Sequence, residues 1–167
     1  MAELTTQERL QPSLLDRLTD DEPGKLEESR DKRVISATRL RDCVTRDMSW
    51  LLNCVGMDAS TELEDYPEVS RSVLNFGIPD LTGVALSGID VDVLQRRVRD
   101  AILAFEPRLT ANTLRVTVNA LSKRMDRQAL IFNIESEMWA QPIPLNLYLK
   151  TEVDLETGSF KVSEGFG

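Results

Sequence analysis

Glu106-Pro107-Arg108 puts a carboxylate and a guanidinium on either side of a residue whose φ is fixed by its ring. Two kinds of chemistry fit such a tripeptide. The pair can close on itself as a local salt bridge. Alternatively it can face outward, where Arg108 offers a planar fork to a partner's carboxylate and Glu106 orients it. Catalysis by the acid is harder to assemble. A glycosidase needs two carboxyls about 5 to 9 Å apart, one of them held protonated. Glu106 could be one of them, but the spacing of Glu135, Glu137 and Asp154 singles out none as the other. Glu135 and Glu137 also fall on the polar side of a strand pattern, where carboxylates are ordinarily solvated.

Other chemistries are poorly represented. There is no His among the 167 residues, which removes the commonest general base and most transition-metal sites. Cys43 and Cys54 stand eleven residues apart in a helical pattern, roughly 16 Å of rise, so both are expected to be free thiols. The eight glycines are scattered, and neither a phosphate-binding loop nor a nucleophile elbow occurs. No catalytic residue, metal ligand or cofactor is therefore assigned. A formal net charge of -8 disfavours nucleic acid or an anionic membrane as a partner. Against that background Arg96, Arg97, Arg99, Lys123, Arg124 and Arg127 form a basic group, either a solvated face or a patch for an acidic protein surface. The chain has no run of 18 apolar residues and an acidic start, so membrane insertion and a signal peptide are not expected, and the cytoplasm is the expected compartment.

The elements that must position these residues follow from hydrophobic period. Residues 1–30 are charged and broken by Asp20, Asp21, Glu22, Pro23 and Gly24, and read as a flexible arm. Within it Leu14, Leu15 and Leu18 recur at helical spacing, so the segment either docks as a short turn or stays a disordered tail. Residues 31–167 read as one domain. Ala37, Leu40, Val44, Met48, Leu51 and Val55 mark an amphipathic helix ending at Gly56, with Asp42 and Arg46 placed to pair at i,i+4. Asp65, Pro67 and Gly77 bracket a short second helix. Asp90 caps a third, whose stripe runs Val91, Leu94, Val98, Ala101, Ile102, Phe105, with Ile89 as a staple on Leu94.

Past Pro107 the period changes to two. Leu114, Val116, Val118 and Ala120 alternate with polar residues. So do Leu130, Phe132 and Ile134 after a polar turn around Asp126, then Leu145, Leu147, Leu149, Val153 and Leu155. A Gly158 hairpin turn leads to Phe160 and Val162 facing in. Helices followed by strands predict an α+β fold, with N-terminal helices packed on one face of a C-terminal antiparallel β-meander. Its last strand is expected to be an open edge over Ser159–Ser163, promoting self-association, with Pro at Lys161 weakening assembly more than folding.

Several stretches together resemble the contractile-phage baseplate wedge proteins, a family sometimes labelled lysozyme-like, and within it the TssE members found in bacterial type VI secretion systems. They are Ser13 to Leu18, Leu40 to Asn53, Ser72-Val73-Leu74-Asn75-Phe76-Gly77-Ile78-Pro79-Asp80-Leu81, Phe105-Glu106-Pro107-Arg108-Leu109, Gln141-Pro142 and the Thr151–Gly158 hairpin. Asn146 departs from the pattern, standing where members often carry an acid.

The resemblance implies a structural, non-enzymatic subunit of the cytoplasmic baseplate docked at the inner membrane. Such a subunit is bound to TssF and TssG, linked through them to TssK, and helps to start the TssB/TssC sheath. It implies partner contacts at Glu106, Pro107 and Arg108 and at the Phe160 and Val162 strand edge, while the apolar stripe of Leu14, Leu15 and Leu18 in an otherwise charged arm reads, from the residues themselves, as a partner contact that orders on binding. Truncation before Asp31 is then expected to spare the fold and weaken recruitment. Two other classes are compatible with the sequence: an anti-adapter-like regulatory module of the same fold, and a peptidoglycan hydrolase.

Overall fold

The computed structural model describes residues 13–19, 23–24, 36–83, 90–119, 129–139 and 144–165. Within them the chain is α+β, as the change of period requires. Helices α1 (Leu14–Leu18), α2 (Ala37–Leu52), α3 (Pro67–Ser70) and α4 (Val91–Phe105) precede strands β1 (Arg115–Asn119), β2 (Ala129–Met138), β3 (Leu145–Asp154) and β4 (Phe160–Glu164). The strands form one antiparallel sheet in the order β1-β2-β3-β4. The expected staple at Ile89, the turn around Asp126, Lys123, Arg124, Arg127, Gln141 and Pro142 lie outside the described residues.

Polar side chains fix where the helices begin. Ser36 accepts from Arg39 N at 3.1 Å to start α2, and Asp90 accepts from Asp92 N and Val93 N at 3.0 and 3.1 Å to start α4. In α3 the N-cap position is Tyr66, not the expected Asp65, and it makes no side-chain cap bond; Pro67 at the first position starts the helix instead. Helix α2 ends earlier than Gly56. Asn53 is its C-cap, and Val55 leaves the apolar stripe to form a parallel bridge with Ile78, its side chain exposed.

The core lies between the helices and one sheet face. Leu40, Val44, Met48 and Leu51 of α2 and Leu94, Val98 and Ile102 of α4 meet Phe132, Ile134, Leu147, Leu149 and Val153 of the sheet. Helix α2 packs across β4 and β3, and α4 across β1. Phe160, expected as a partner contact, is buried in this core with its ring 5.7 Å from that of Phe132, and Val162 is half-buried against it. Side-chain contact with a partner at Phe160 is thus excluded in this fold, because alternation sends its ring inward. What β4 can offer is backbone.

The phase of that backbone follows from the ladder. Asp154 N donates to Ser159 O at 3.0 Å and Gly165 N to Tyr148 O at 2.8 Å, on the same β3–β4 register. Because bonded and non-bonded pairs alternate in an antiparallel ladder, Lys161 and Ser163 bond inward to β3, while Phe160, Val162 and Glu164 turn N–H and C=O to the outside. The edge is also shorter than the sequence predicts. The Asn53 side chain accepts from Phe160 N at 2.9 Å and donates to Phe160 O at 3.0 Å, filling the first outward position. Lys161→Pro is the wrong test of this edge, since it removes a donor from the internal ladder.

Candidate functional site

The Glu-Pro-Arg corner joins three elements. Pro107 fixes the exit from α4 and is itself exposed. Beyond it Leu109 forms an antiparallel bridge with Met138, flanked by Trp139 N donating to Arg108 O at 2.7 Å and Thr110 N donating to Glu137 O at 2.8 Å. The corner is therefore sewn onto the end of β2. Glu106, only 4% exposed, accepts from Arg108 N at 3.1 Å, from Arg108 Nε at 2.6 Å and from Arg108 Nη2. The same Nη2 donates to Asp47 of α2 at 2.6 Å.

Of the two roles open to the tripeptide, this geometry is the internal bridge. Two of the three guanidinium nitrogens are engaged, and the third, Nη1, is buried without a partner among the described residues. No free fork faces outward, so the docking of Arg108 on a partner carboxylate is corrected to a clamp that ties α4 and β2 to α2. Burial works against the charge, but Glu106 and Asp47 outweigh it and hold Arg108 protonated above the usual arginine range. A hydrolase acid role for Glu106 does not fit either, because both of its oxygens are held by Arg108 and the residue is buried away from any substrate.

The clamp continues outward. Arg46 lies over the ring of Trp50, 4.9 Å from its centroid, and pairs with Asp47 at 2.8 Å and with Asp16 of α1 at 2.5 Å. The i,i+4 partner predicted for it, Asp42, is replaced by these two acids. Five charges thus alternate in sign through Asp16, Arg46, Asp47, Arg108 and Glu106. Helix α1 docks by this polar contact, with Ser13 and Leu15 forming one wall of a cavity of ≈ 550 Å³ beside Trp50, Phe76 and Phe105. Leu14 and Leu18 turn away from the domain, 69% and 74% exposed, and Leu15 is 46% exposed. The apolar stripe therefore does not seat α1 on its own domain and stands open to another surface.

Hydrogen bonding to Arg46 holds the Asp16 carboxyl well below the usual carboxylate range, against a smaller cost of burial. A folded value lowered in this way stabilises the docked arm above the ordinary aspartate range, and the gain is lost as pH falls below about 4. Arg46 is part-exposed, so Asp16→Asn is expected to cost about 1 kcal/mol or less and to leave the melting temperature nearly unchanged. It should nonetheless shift the emission of Trp50, read in a Trp139→Phe background, as acid or high salt would. An emission unchanged by all three would show that Asp16 does not seat the arm.

The Ser72–Leu81 stretch is mostly structural. Gly77 has φ 142° and packs its α-carbon against the backbone of residues 54–56, where Ile78 N donates to Cys54 O at 2.9 Å and Gly56 N to Ile78 O at 3.0 Å. Asn75 accepts from Asp58 N at 2.9 Å and donates to Ser70 O at 3.1 Å. Val73 and Leu74, by contrast, are 80% and 67% exposed, and no periodicity in the sequence marked them as surface groups. Asp47 and Asn53 were likewise missed, since each acts on a residue far along the chain. Arg96, Arg97 and Arg99 lie on an exposed to half-exposed face of α4. Among the described residues no helix is long and apolar enough to cross a membrane.

A family model described as baseplate wedge protein gp25 matches residues 38–143. No curated protein and no solved structure matches the chain.

Proposed function

The chain belongs to the gp25 baseplate wedge family, and on that premise we propose that it is the TssE-type structural subunit of a type VI secretion baseplate, joining the wedge to the contractile sheath and helping sheath polymerisation to begin. The family supports a structural baseplate role, and in this reading the subunit carries out no catalysis. In this reading TssF and TssG hold the subunit, TssK is reached through them, and the TssB/TssC sheath takes a strand at the β4 edge. The cytoplasmic face of the docked baseplate is then its place of work. The single observation that supports this most is the outer side of β4, where Val162 and Glu164 turn their backbone groups away from β3. The corner contributes indirectly, by holding the helices against the sheet that carries this edge. The exposed Leu14 and Leu18 are assigned to the wedge.

The phase of the ladder gives the test. Val162→Pro removes an outward donor and spares the bonds to β3, so it is expected to leave the melting temperature within a few degrees of wild type. It should nevertheless reduce assembled sheaths in cells at least tenfold. Lys161→Pro should lower both together. Normal sheath counts in Val162→Pro cells would remove strand addition from the proposed role.

A further inference from the structure

Asn53 is the one side chain among the described residues with hydrogen bonds to both outward backbone groups of a β4 residue. It stands at the C-terminus of α2, and its Nδ2 also donates to Ser49 O at 2.8 Å, which fixes the plane of the amide. An amide so held presents one acceptor and one donor to the edge, as the peptide groups of a neighbouring strand would. At Phe160 the edge is thus already paired, by a side chain from the helix that covers the sheet. One residue pair further on, at Val162 and Glu164, no such clasp is present among the described residues.

We propose that Asn53 is a register-setting residue of the β4 edge: it closes the Phe160 position, so that an extended segment of a partner chain can pair only from Val162 onward. This rests on strand addition as the mode of binding. It goes further by saying which positions are available and which side chain decides it. A strand's side chains alternate between faces, so a slip of one residue would turn every incoming side chain to the wrong face. A shift of two residues keeps the faces, so side-chain alternation does not oppose it, and an edge open at Phe160 would admit it. A closed end excludes the longer alternatives, and it also shortens the edge that two copies of this chain could share.

The test uses the full chain, with residue-resolved amide exchange and sedimentation. In the wild type, the Phe160 amide should be protected along with Lys161 and Ser163, while Val162 and Glu164 exchange faster. Asn53→Ala should speed exchange at Phe160 at least tenfold and leave Lys161 and Ser163 unchanged. Asn53→Asp keeps the acceptor, so Phe160 should stay protected. Asn53→Ala should also self-associate at concentrations where the wild type is monomeric, and adding Val162→Pro should abolish that association. Equal Phe160 exchange in the wild type and Asn53→Ala would overturn the proposal. So would loss of protection throughout β4 in both Asn53 variants, which would make the clasp a part of the fold with no selective role. Because these readouts need no baseplate partner, they can fail while the Val162→Pro result stands, and the reverse.

Discussion

Arg108→Ala is expected to destabilise the protein by about 3 to 5 kcal/mol, because it leaves the buried carboxylate of Glu106 without its partner. For a chain of this size that is about 6 to 20 °C in melting temperature. Loss of assembly in cells should follow the loss of folded protein and not exceed it, which separates a clamp from a docking residue. Arg108→Lys should recover only part of the stability, since one ammonium cannot reach Glu106 through two parallel bonds and Asp47 as well. Replacing both Glu106 and Arg108 with apolar residues of similar volume should cost less than Arg108→Ala alone, because no charge is then stranded. A variant Arg108→Ala that melts like the wild type but fails to assemble would restore the outward-facing role.

The second large effect is expected at Gly77. A Cβ built there would lie 2.6 Å from Cys54 O and 2.6 Å from Gly56 N, and the backbone sits at φ +142°. Both contacts are to backbone, which cannot swing aside as a side-chain tip can. Gly77→Ala should therefore cost at least about 3 kcal/mol, seen as a lowered urea midpoint or as insoluble protein. Gly83 provides the comparison. Its φ is +72° but nothing among the described residues lies within 4 Å of an added Cβ, so Gly83→Ala should cost only about 1 kcal/mol. Similar costs at the two sites would mean that backbone conformation, and not the close approach of residues 54–56, makes glycine necessary.

What could be read from the sequence was whatever depends on near neighbours. Asp90 as a cap, Pro107 as an exit, the change from a period near 3.6 to 2, and Gly158 at φ 69° are all local, and the structure has each of them. Glu106 and Arg108 could be paired by inspection because they are two residues apart. Their third member could not, since Asp47 lies 61 residues from Arg108 and nothing in the pattern of α2 distinguishes it from Asp42. Arg46 shows why local rules mislead here. Its i,i+4 acid competes with an adjacent acid and with Asp16 from 30 residues away, and the tertiary fold decides between them. The Asn53 clasp, spanning 107 residues, left no trace in periodicity at all.

That span has a kinetic side. The β3–β4 hairpin joins Val153 and Phe160, seven apart in sequence, whereas the clasp joins residues 107 apart. Loop-closure entropy alone makes the longer closure less favourable by about 2 kcal/mol. A meander of sequential hairpins can therefore form ahead of its helical cover, and during that interval all three outward positions of β4 lie bare. The clasp closes only when α2 has seated on the finished sheet. An edge that begins at Val162 is thus the signature of a chain that has completed its folding, and an edge that begins at Phe160 that of one still on its way.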